Sequence, residues 1–289
     1  MLLSTSMGGI LGRFSCEESI ELLAQAGFDA IDFPFFGEEY YNEETDREAF
    51  REYFRKLKAL AGEKGLCFNQ AHAPTPSSRR DAVKTEKIFQ DIVRSMRNAS
   101  YLGIDTIVVH PMQHLFYYAE GVPEQLFEMN MDFYRRLIPY CEEYGIRVAV
   151  ENMWQEPGGR KISHSTCSRP EEFIRYVDEL NSPWMVACLD IGHAFLVCED
   201  PADFIRKLGP KRLQALHVHD VDGIEDLHTL PYYGVIDWSK TAKALKEIGY
   251  TGDFTYEAGA FVERLPKELY LSGLRHMVET GRYLMSLVR

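Results

Sequence analysis

The stretch Glu142-Glu-Tyr-Gly145-Ile-Arg-Val-Ala-Val-Glu151 contains the unit that repeats along this chain. A helical pattern ends in a glycine, the residue that best adopts the left-handed conformation of a helix C-cap, and a short apolar run follows. The run ends at a carboxylate. The same kind of helix–strand junction recurs at Gly27, Gly65, Gly103 and Gly249. This repetition predicts alternating helices and strands, and therefore a parallel sheet.

Eight apolar runs have the length and composition of buried strands. They are Leu2–Ser6, Ala30–Phe33, Cys67–Ala71, Thr106–His110, Arg147–Glu151, Met185–Asp190, Leu213–His219 and Phe254–Glu257. The predicted helices are Glu17–Ala26, Arg47–Lys64, Asp81–Leu102, Glu124–Tyr144, Pro170–Leu180, Pro201–Leu208, Trp238–Ile248 and about Lys267–Leu287. No Pro/Gly/Ser-rich linker divides them. We therefore expect one domain, residues 1–289, that folds as a single (β/α)8 TIM barrel of the α/β class.

A doubly wound open sheet is the alternative architecture for alternating strands and helices. Its first strand is normally followed by a Gly-x-Gly-x-x-Gly loop that binds phosphate. The corresponding segment here, Met7-Gly-Gly-Ile-Leu-Gly12, lacks that spacing. The closed barrel is favoured.

The composition argues against several classes of protein. Hydrophobic residues make up 45% of the chain and charged residues 26%, as in globular proteins with a large core. The net charge of −12 argues against nucleic acid as a partner, because its binding depends on Lys and Arg. No apolar stretch is long enough to span a bilayer, so no membrane association is expected. The N-terminus lacks the features of a signal peptide and the six cysteines form no Cys-x-x-Cys pair, so we expect reduced thiols and a cytoplasmic location.

Groups that titrate or bind metals follow the ends of the predicted strands. They are His72, His110, Glu151, Asp190 with His193, His217 with His219, and Glu257, and the loop after strand seven adds Asp226 and His228. The carboxyl ends of barrel strands meet at one mouth, where the chemistry of such folds takes place. A buried carboxylate is costly unless a cation or hydrogen bonds compensate its charge. The convergence of these groups predicts a divalent cation at the mouth.

Glu151, Asp190, His217 and Glu257 form the best single site, because they end four successive strands that lie about 4.8 Å apart. Imidazole and carboxylate ligands suit Mn²⁺, Zn²⁺, Co²⁺, Fe²⁺ or Mg²⁺. Each residue also has a structural interpretation. A strand-end histidine can be satisfied by hydrogen bonds, and a strand-end carboxylate can cap the following helix or turn.

Taken together, these motifs resemble the xylose-isomerase-like TIM-barrel superfamily, which includes sugar isomerases, ketose epimerases, inosose-processing enzymes and AP endonucleases of the family 2 type. The resemblance covers essentially the whole chain. Its motifs, in chain order, are His72-Ala-Pro, Val-Val-His110-Pro, Val-Glu151-Asn, Leu-Asp190-Ile-Gly-His193, His217-Val-His219-Asp220, Asp226-Leu-His228, Gly234-Val-Ile-Asp-Trp238 and Tyr-Glu257.

The resemblance to the isomerase and epimerase branch implies one metal held by Glu151, Asp190, His217 and Glu257. His217 is preferred to His219 because Asp220 follows it three positions later, as is usual in the family. The implied activity is divalent-metal-dependent isomerisation or epimerisation of a sugar, sugar phosphate or inosose. Glu151 and Glu257 would exchange protons with substrate carbon through a metal-stabilised ene-diolate, and His193 would hold a substrate oxygen.

The remaining polar residues are expected to line the substrate pocket or to hold more metal. His72, His110, His219 and Trp154 are the expected substrate-binding residues. The AP endonuclease branch, in contrast, holds several metals, and the resemblance to it implies a possible second metal site at His193, Asp226 and His228. By analogy with related barrels, a homodimer is the expected assembly.

Besides the isomerase or epimerase, three further hypotheses stay open. A metal-cluster AP endonuclease or phosphodiesterase would need a basic groove for DNA, but the predicted βα loops offer few cations, namely Arg79, Arg80 and Lys161. A keto-sugar lyase or hydratase would use the same carboxylates to remove a proton and would then expel a leaving group. A non-catalytic sugar-binding barrel is the fourth hypothesis, but binding alone does not require two glutamates beside a metal.

Overall fold

Eight parallel strands form one sheet that curves into a barrel in this computed structural model, which describes residues 1–42, 44–157 and 162–288. Lys161 lies outside these residues. The barrel strands are β1 (Leu3–Ser6), β2 (Ala30–Pro34), β3 (Cys67–His72), β4 (Thr106–Val109), β5 (Arg147–Glu151), β8 (Met185–Asp190), β9 (Leu213–His217) and β10 (Phe254–Tyr256). Two short strands in the loop after β5, β6 (Trp154–Gln155) and β7 (Ser163–His164), form a separate antiparallel pair.

The order of strands around the sheet is β10-β1-β2-β3-β4-β5-β8-β9, and every neighbouring pair is parallel. Two backbone hydrogen bonds join the first and last strands of this order. The amide of Val218 donates to the carbonyl of Thr255 at 2.9 Å, and the amide of Glu257 donates to the carbonyl of Val218 at 3.2 Å. The predicted (β/α)8 barrel is therefore confirmed.

Helices connect the strands around the outside of the barrel. Among the described residues they are α1 (Gly8–Leu11), α2 (Cys16–Ala26), α3 (Arg47–Glu63), α4 (Ala82–Leu102), α5 (Val122–Tyr144), α6 (Pro170–Leu180), α7 (Ile191–Leu196), α8 (Pro201–Arg212), α9 (Trp238–Glu247), α10 (Gly259–Glu263) and α11 (Tyr270–Val288). The backbone of α8 is kinked at Gly209, one residue after the predicted helix end. No helix in the described part of the chain is long and apolar enough to cross a membrane.

The glycine junctions that define the repeat adopt the predicted conformation. Gly145, which ends α5, has φ of 66°, and Gly103, which ends α4, has φ of 84°. Gly27, Gly65 and Gly249 also have positive φ. Since a Cβ is disfavoured there, glycine ends each helix and directs the chain into the next strand.

The barrel interior contains a small apolar layer that positions the polar residues above it. Val108, Ala149, Val186, Cys188 and Ala215 pack together, apart from the main core that includes the alternate strand residues. Side chains along a strand alternate between the two faces of the sheet, so residues two positions later point inward as well. His110, Glu151, Asp190 and His217 stand two positions after members of this layer. They therefore form the next layer toward the carboxyl ends of the strands.

Candidate metal centre

The four residues of the predicted metal site lie together at the mouth of the barrel. Glu151, Asp190, His217 and Glu257 each offer one ligand atom, and these atoms all lie within 4.8 Å of one another. The Nδ1 atom of His217 lies 3.2 Å from Oε1 of Glu151 and 3.2 Å from Oε2 of Glu257. It lies 4.0 Å from Oδ2 of Asp190. The four side chains lie close together, as the strand-end argument predicted, and their role as ligands remains a prediction.

Unsatisfied polar atoms in this cluster fit a divalent cation. Glu151, Asp190 and His217 are completely buried, whereas 17% of the Glu257 side chain is exposed. Among the described residues, Oε2 of Glu151 has no hydrogen-bond partner, although Nε2 of His110 lies 3.0 Å away. A buried carboxylate oxygen without a hydrogen bond is unfavourable, and a cation would compensate it. The donor set of three carboxylates and one imidazole suits Mn²⁺, Zn²⁺, Co²⁺ or Mg²⁺.

The charges in the cluster depend on one another. Burial alone would raise the pKa of Glu151, but His217 and His110 outweigh it and hold this pKa well below its usual value. Burial likewise opposes protonation of His217, but Glu257 and Glu151 raise the pKa of His217 to about 10. Asp190 also has a lowered pKa, because His193 and His219 outweigh the effect of its burial. At neutral pH the cluster therefore contains ionised carboxylates. Their negative charge is compensated either by a protonated histidine or by a bound cation.

A second group of donors shares Glu151 with the first. His72, His110 and Glu151 offer ligand atoms within 4.8 Å of one another. Nε2 of His72 lies 3.0 Å from Nε2 of His110 and 3.7 Å from Oε2 of Glu151. Nδ1 of His72 donates to the carbonyl of Ala73 at 2.8 Å, which leaves Nε2 of the neutral ring as an acceptor. A hydrogen bond of this kind commonly orients a metal-binding histidine.

A third group lies on the other side of Asp190. His193, His219, Asp226 and His228 offer ligand atoms within 4.8 Å of one another. Oδ2 of Asp226 lies 3.2 Å from Nε2 of His193 and 3.1 Å from Nε2 of His228. The Nδ1 atoms of these two histidines donate to the carbonyls of Asn152 and Glu257, at 2.9 Å and 2.7 Å. The predicted second set, His193, Asp226 and His228, is thus assembled in the structure.

Electrostatics in the third group match those in the first. Burial opposes protonation of His193, but Asp190 and Asp226 raise the pKa of His193 well above its usual value. Burial also opposes protonation of His228, but Asp226 and Glu257 raise its pKa to about 10. The pKa of Asp226 is lowered because the two histidines outweigh its burial.

A cavity of about 700 Å³ opens above these groups. Its lining includes the predicted site residues His72, His110, Glu151, Trp154, His193, Asp226, His228 and Glu257. The half-exposed ring of Phe36 also lines it and packs edge-on against His72, with ring centroids 4.9 Å apart. A volume of this size suits a small organic substrate.

His219 occupies a different place from the other predicted pocket residues. Its side chain is completely buried and does not line the cavity. Nε2 of His219 lies 3.0 Å from both carboxylate oxygens of Asp190, and its ring stacks on His228 with centroids 4.1 Å apart. Residues 217 and 219 share a strand face, but the second lies beyond the end of β9. His219 therefore supports Asp190 and His228 rather than facing the cavity, and the structure does not favour its predicted contact with substrate.

The loop after β8 combines a structural role with a chemical one. Asp190 caps α7, because its side chain accepts a hydrogen bond from the amide of His193 at 2.6 Å. This capping, which was the structural interpretation of Asp190, places His193 in the first turn of a short helix. A Cβ on Gly192 would lie 2.1 Å from the ring of His219, so only glycine allows this close packing.

The loop after β9 is held by Asp220. Its carboxylate accepts hydrogen bonds from the indole of Trp238 at 2.8 Å and from the amides of Tyr232 and Ile236 at 3.0 Å and 3.2 Å. A Cβ on Gly234 would lie 2.2 Å from the carbonyl of Val221. The motif from Gly234 to Trp238 therefore shapes the loop that carries Asp226 and His228.

Two polar residues near the site were not recognised as important in the sequence. Asn152 joins the ends of β5 and β8, since its amide group donates to the carbonyl of Asp190 at 2.9 Å and accepts from the amide of Asp190 at 2.7 Å. Asp32, in β2, is buried with no hydrogen bond to either carboxylate oxygen among the described residues. Burial raises the pKa of Asp32 to about 6, although His217 and His72 oppose the shift. In the sequence, the feature that could have pointed to Asp32 is its position as a single aspartate inside the apolar run Ala30–Pro34.

A comparison with known protein families identifies the family of this chain. The model of the xylose isomerase-like TIM barrel family matches residues 20–280. The chain belongs to this family. An uncharacterised protein of Methanocaldococcus jannaschii is 28% identical over 250 residues, covering 84% of this chain and 79% of that protein. D-psicose 3-epimerase of Enterocloster bolteae is 25% identical, and the match covers 70% of this chain and 65% of that enzyme. Mannonate dehydratase of Brachyspira hyodysenteriae is also 25% identical, and the match covers 69% of this chain and 61% of that enzyme.

Several solved structures share the same barrel. A D-tagatose 3-epimerase-like protein superposes with a TM-score of 0.78 at 22% identity, covering 100% of this chain and 98% of the other. The IolI protein with a bound zinc atom superposes with a TM-score of 0.74 at 19% identity, covering 100% of this chain and 98% of that protein. These similarities establish the fold, and the residues of the site provide the argument for function.

Proposed function

We propose that this protein is a divalent-metal-dependent isomerase or epimerase that acts on a sugar, sugar phosphate or inosose. One observation carries the proposal. The carboxylates of Glu151 and Glu257 flank the same atom, Nδ1 of His217, at 3.2 Å each, and both residues line a cavity of about 700 Å³. Relatives named as a D-psicose 3-epimerase and a mannonate dehydratase support a sugar-like substrate.

Glu151, Asp190, His217 and Glu257 would hold the ion, with imidazole and carboxylate donors that fit it. When bound, a divalent cation supplies positive charge that stabilises an ene-diolate and orients the substrate oxygens. The neighbouring groups fix the donors in place. Asn152 holds the end of β8 and thereby Asp190, and His219 bonds to the Asp190 carboxylate.

The two glutamates would move the protons. One carboxylate takes a proton from the carbon beside the substrate carbonyl, and a carboxylate returns a proton either to the opposite face of that carbon or to its neighbour. The first outcome is epimerisation and the second is isomerisation. The lowered pKa of Glu151 keeps it ionised at neutral pH, as a base must be. The partly exposed Glu257 lies closer to solvent and can exchange its proton with water. His193 would hold a substrate oxygen from the Asp226 side of the cavity.

A metal-cluster phosphodiesterase is the second candidate, and it is supported by the overlapping donor groups, which include a fourth set of His72, His217 and Glu257. Glu151 joins the first two groups, and Asp190 bonds to His219 of the third. Such a cluster can hold more than one ion, as in two-metal phosphoryl-transfer sites. The surroundings favour the sugar proposal. The chain carries a net charge of −12, and Arg79 and Arg80 are the only Lys or Arg side chains among the described residues that line the cavity.

The decisive experiment measures metal content and turnover on the same preparation. We expect one tightly bound ion per chain by elemental analysis. With Mn²⁺, turnover should appear in a panel of ketohexoses, pentoses, inososes and their phosphates, read out in D₂O as deuterium incorporation at carbon. A lyase or hydratase would instead lose water from the substrate, which the same spectra report.

The same preparation also tests the alternatives. Incision of abasic duplex DNA at low salt, together with three ions per chain, would support the phosphodiesterase and contradict the isomerase. If metal binds but no sugar exchanges its protons, the proposed activity is wrong and a binding barrel is favoured.

A further inference from the structure

Two adjacent arginines line the cavity, and the proposed proton transfer does not use them. Arg79 and Arg80 lie in the loop between β3 and α4, and both side chains are exposed. The other charged residues of the lining, apart from histidines, are the carboxylates of Glu151, Glu156, Asp226 and Glu257. An anionic substrate would be repelled by these carboxylates unless a cationic group in the same cavity received it.

Neither arginine has an ionic partner in the part of the chain that the structure describes. Within residues 1–42, 44–157 and 162–288, no carboxylate oxygen lies within 4.0 Å of either guanidinium group. Many other arginines on the surface are paired, for example Arg136 with Glu86 at 2.7 Å and Arg175 with Glu124 at 2.7 Å. The adjacent Asp81 is used by the backbone, because its carboxylate accepts from the amides at the start of α4. What sets Arg79 and Arg80 apart is their place, because they are adjacent and line a cavity whose other charged residues, apart from histidines, are carboxylates.

The loop that carries the arginines is held in place. The amide of Arg79 donates to Oγ1 of Thr85 at 2.9 Å, and this hydroxyl donates to the carbonyl of Arg79 at 2.9 Å. The hydroxyl of Ser77 donates to the carbonyl of His110 at 2.6 Å, which ties the loop to the second donor group. The arginines therefore start from a fixed backbone at the rim of the site.

His114 adds a neutral polar group beside them. Its Nδ1 atom lies 2.6 Å from the hydroxyl of Ser78, and its ring lines the cavity. Burial lowers the pKa of His114, and the positive charge of Arg80 lowers it further. Both effects favour the neutral ring, which lines the cavity together with the two arginines.

We propose that Arg79 and Arg80 form an anion subsite that binds a phosphate or carboxylate group of the substrate. The substrate is then a sugar phosphate or a sugar acid rather than a neutral sugar. The guanidinium fork matches both anions, because its parallel N–H groups donate to two oxygens at once. This inference rests on the proposed function, which describes the end of the substrate that reacts. It adds that the other end of the substrate carries a negative charge.

The test compares neutral and anionic members of matched series on the metal-loaded protein. D-fructose, D-fructose 6-phosphate and D-fructuronate form one series, and D-ribulose and D-ribulose 5-phosphate form another. Calorimetry measures binding and the D₂O exchange assay measures kcat and KM. We expect an anionic member to bind more tightly than its neutral counterpart by roughly tenfold or more, as for charge-assisted hydrogen bonds. Tighter binding of a sugar phosphate or of fructuronate shows whether the subsite prefers a phosphate or a carboxylate group.

The variant R79Q/R80Q should remove this preference. Its KM for the anionic member should rise by roughly tenfold or more, with little change in kcat and no change for the neutral sugar, because the glutamates remain in place. The matched control is R55Q/R135Q, which removes two exposed arginines of α3 and α5 that do not line the cavity. It lowers the net charge equally, so a long-range electrostatic effect would appear in both variants. Circular dichroism checks that both variants fold.

The outcomes separate this inference from the proposed function. Anionic binding that disappears in R79Q/R80Q, without turnover of any sugar, would support the anion subsite and contradict the isomerase. Turnover of neutral sugars as efficient as that of their anionic counterparts would overturn the anion subsite and leave the isomerase standing. An unchanged preference in R79Q/R80Q, or no binding of any anionic member, would also overturn it.

Discussion

Glu151 contributes one oxygen to each of two donor groups. Oε1 lies 3.2 Å from Nδ1 of His217, and Oε2 lies 3.0 Å from Nε2 of His110. Ala149, two residues earlier, belongs to the apolar layer inside the barrel, so the side chain of Glu151 must point along the barrel axis. A shorter carboxylate would shift both contacts. This residue therefore connects the proposed isomerase site with the additional donors that a metal cluster would use.

Replacement of Glu257 by glutamine should abolish proton exchange with little effect on the fold. The amide cannot accept a proton from carbon at neutral pH. Glu257 is the partly exposed member of the cluster, and His217 keeps its contact with Glu151 at 3.2 Å when Glu257 is replaced. We expect kcat in the D₂O exchange assay to fall by roughly 100-fold or more, the usual range for loss of a general base. Glu263→Gln, an exposed change at the end of α10, is the control. Retained exchange in Glu257→Gln would refute its role.

Binding of the metal should release protons, because His217 is protonated in the metal-free protein at neutral pH. Its pKa is raised to about 10 despite burial, through Glu257 and Glu151, whereas a metal ligand must be a neutral imidazole. Affinity for Mn²⁺ should therefore fall as pH decreases below that value. Calorimetry at pH 8 in two buffers of different ionisation enthalpy measures the release. Equal apparent enthalpies in both buffers would contradict the prediction.

The same shift predicts how the metal-free protein responds to alkaline pH. The pKa of His217 is raised above its ordinary value of about 6.5, so its contribution to stability is fully present below pH 6.5 and is lost as pH rises through about 10. The lowered pKa values of Glu151 and Asp190 act in the opposite range, because their contribution is lost in acid. Thermal unfolding between pH 6.5 and 10 should show a declining Tm without metal. A Tm that rises over this range would contradict the interpretation.

At the scale of elements, the loops after β1 and β10 meet through two glycines. A Cβ on Gly9, in α1, would lie 2.5 Å from the Cα atom of Gly259 and 2.9 Å from its carbonyl oxygen. Gly259 begins α10 and follows Glu257 by two residues. The packing of the first loop against the last therefore fixes the segment just after β10, which contains this glutamate.

Gly9→Ala should weaken both stability and activity. The added methyl group meets backbone, which cannot move aside as a side chain could, so the loop with Glu257 must shift. We expect a destabilisation of about 1–3 kcal/mol, the usual cost of overpacking, measured by urea unfolding, and a reduced kcat. Gly12→Ala is the matched control, because a Cβ there has nothing within 4 Å and the backbone is right-handed helical. Equal effects of the two changes would show that the close contact is unimportant.

At the scale of the whole molecule, the barrel gathers carboxylates and histidines at one mouth. The donor groups end or follow six of the eight strands, from β3 to β10, and the same strands form the core. An ion held there joins β5, β8 and β9 with the residue after β10, so its binding stabilises the closed barrel as a unit. Mn²⁺ at 100 times its dissociation constant should add about 2.7 kcal/mol to the free energy of unfolding.

Removal of the metal should therefore lower the Tm by several degrees, in proportion to this free energy. Differential scanning calorimetry before and after dialysis against a chelator measures the change. Restoration by Mn²⁺ but not by Na⁺ would show that the effect is specific. The variant Glu257→Gln, which lacks one of the four donors, should show a smaller shift, and an equal shift would place the ion in a different donor group.

The strand ends illustrate how far the sequence alone could lead. Glu151, Asp190 and Glu257 were identified because each terminates an apolar run, and the barrel brings such positions together. His217 was preferred to His219, which ends the predicted run Leu213–His219, only because the family resemblance has an aspartate three positions later. The hairpin of β6 and β7 and the short helix α7 were not predicted, because two strand residues or one and a half turns give no periodic signal. Asp32 was missed for a related reason, since its burial near His217 depends on the neighbouring strand and not on its own run.

Local sequence determined the repeat of helix, glycine and strand, and with it the barrel and the layer of side chains at its mouth. This was possible because strand alternation and helix capping act over a few residues. Only the tertiary structure decided how the polar residues divide into groups. His219 turns to Asp190, His228 reaches the carbonyl of Glu257, and Arg79 and Arg80 join the cavity wall, because these distances depend on loop packing between residues far apart in the chain.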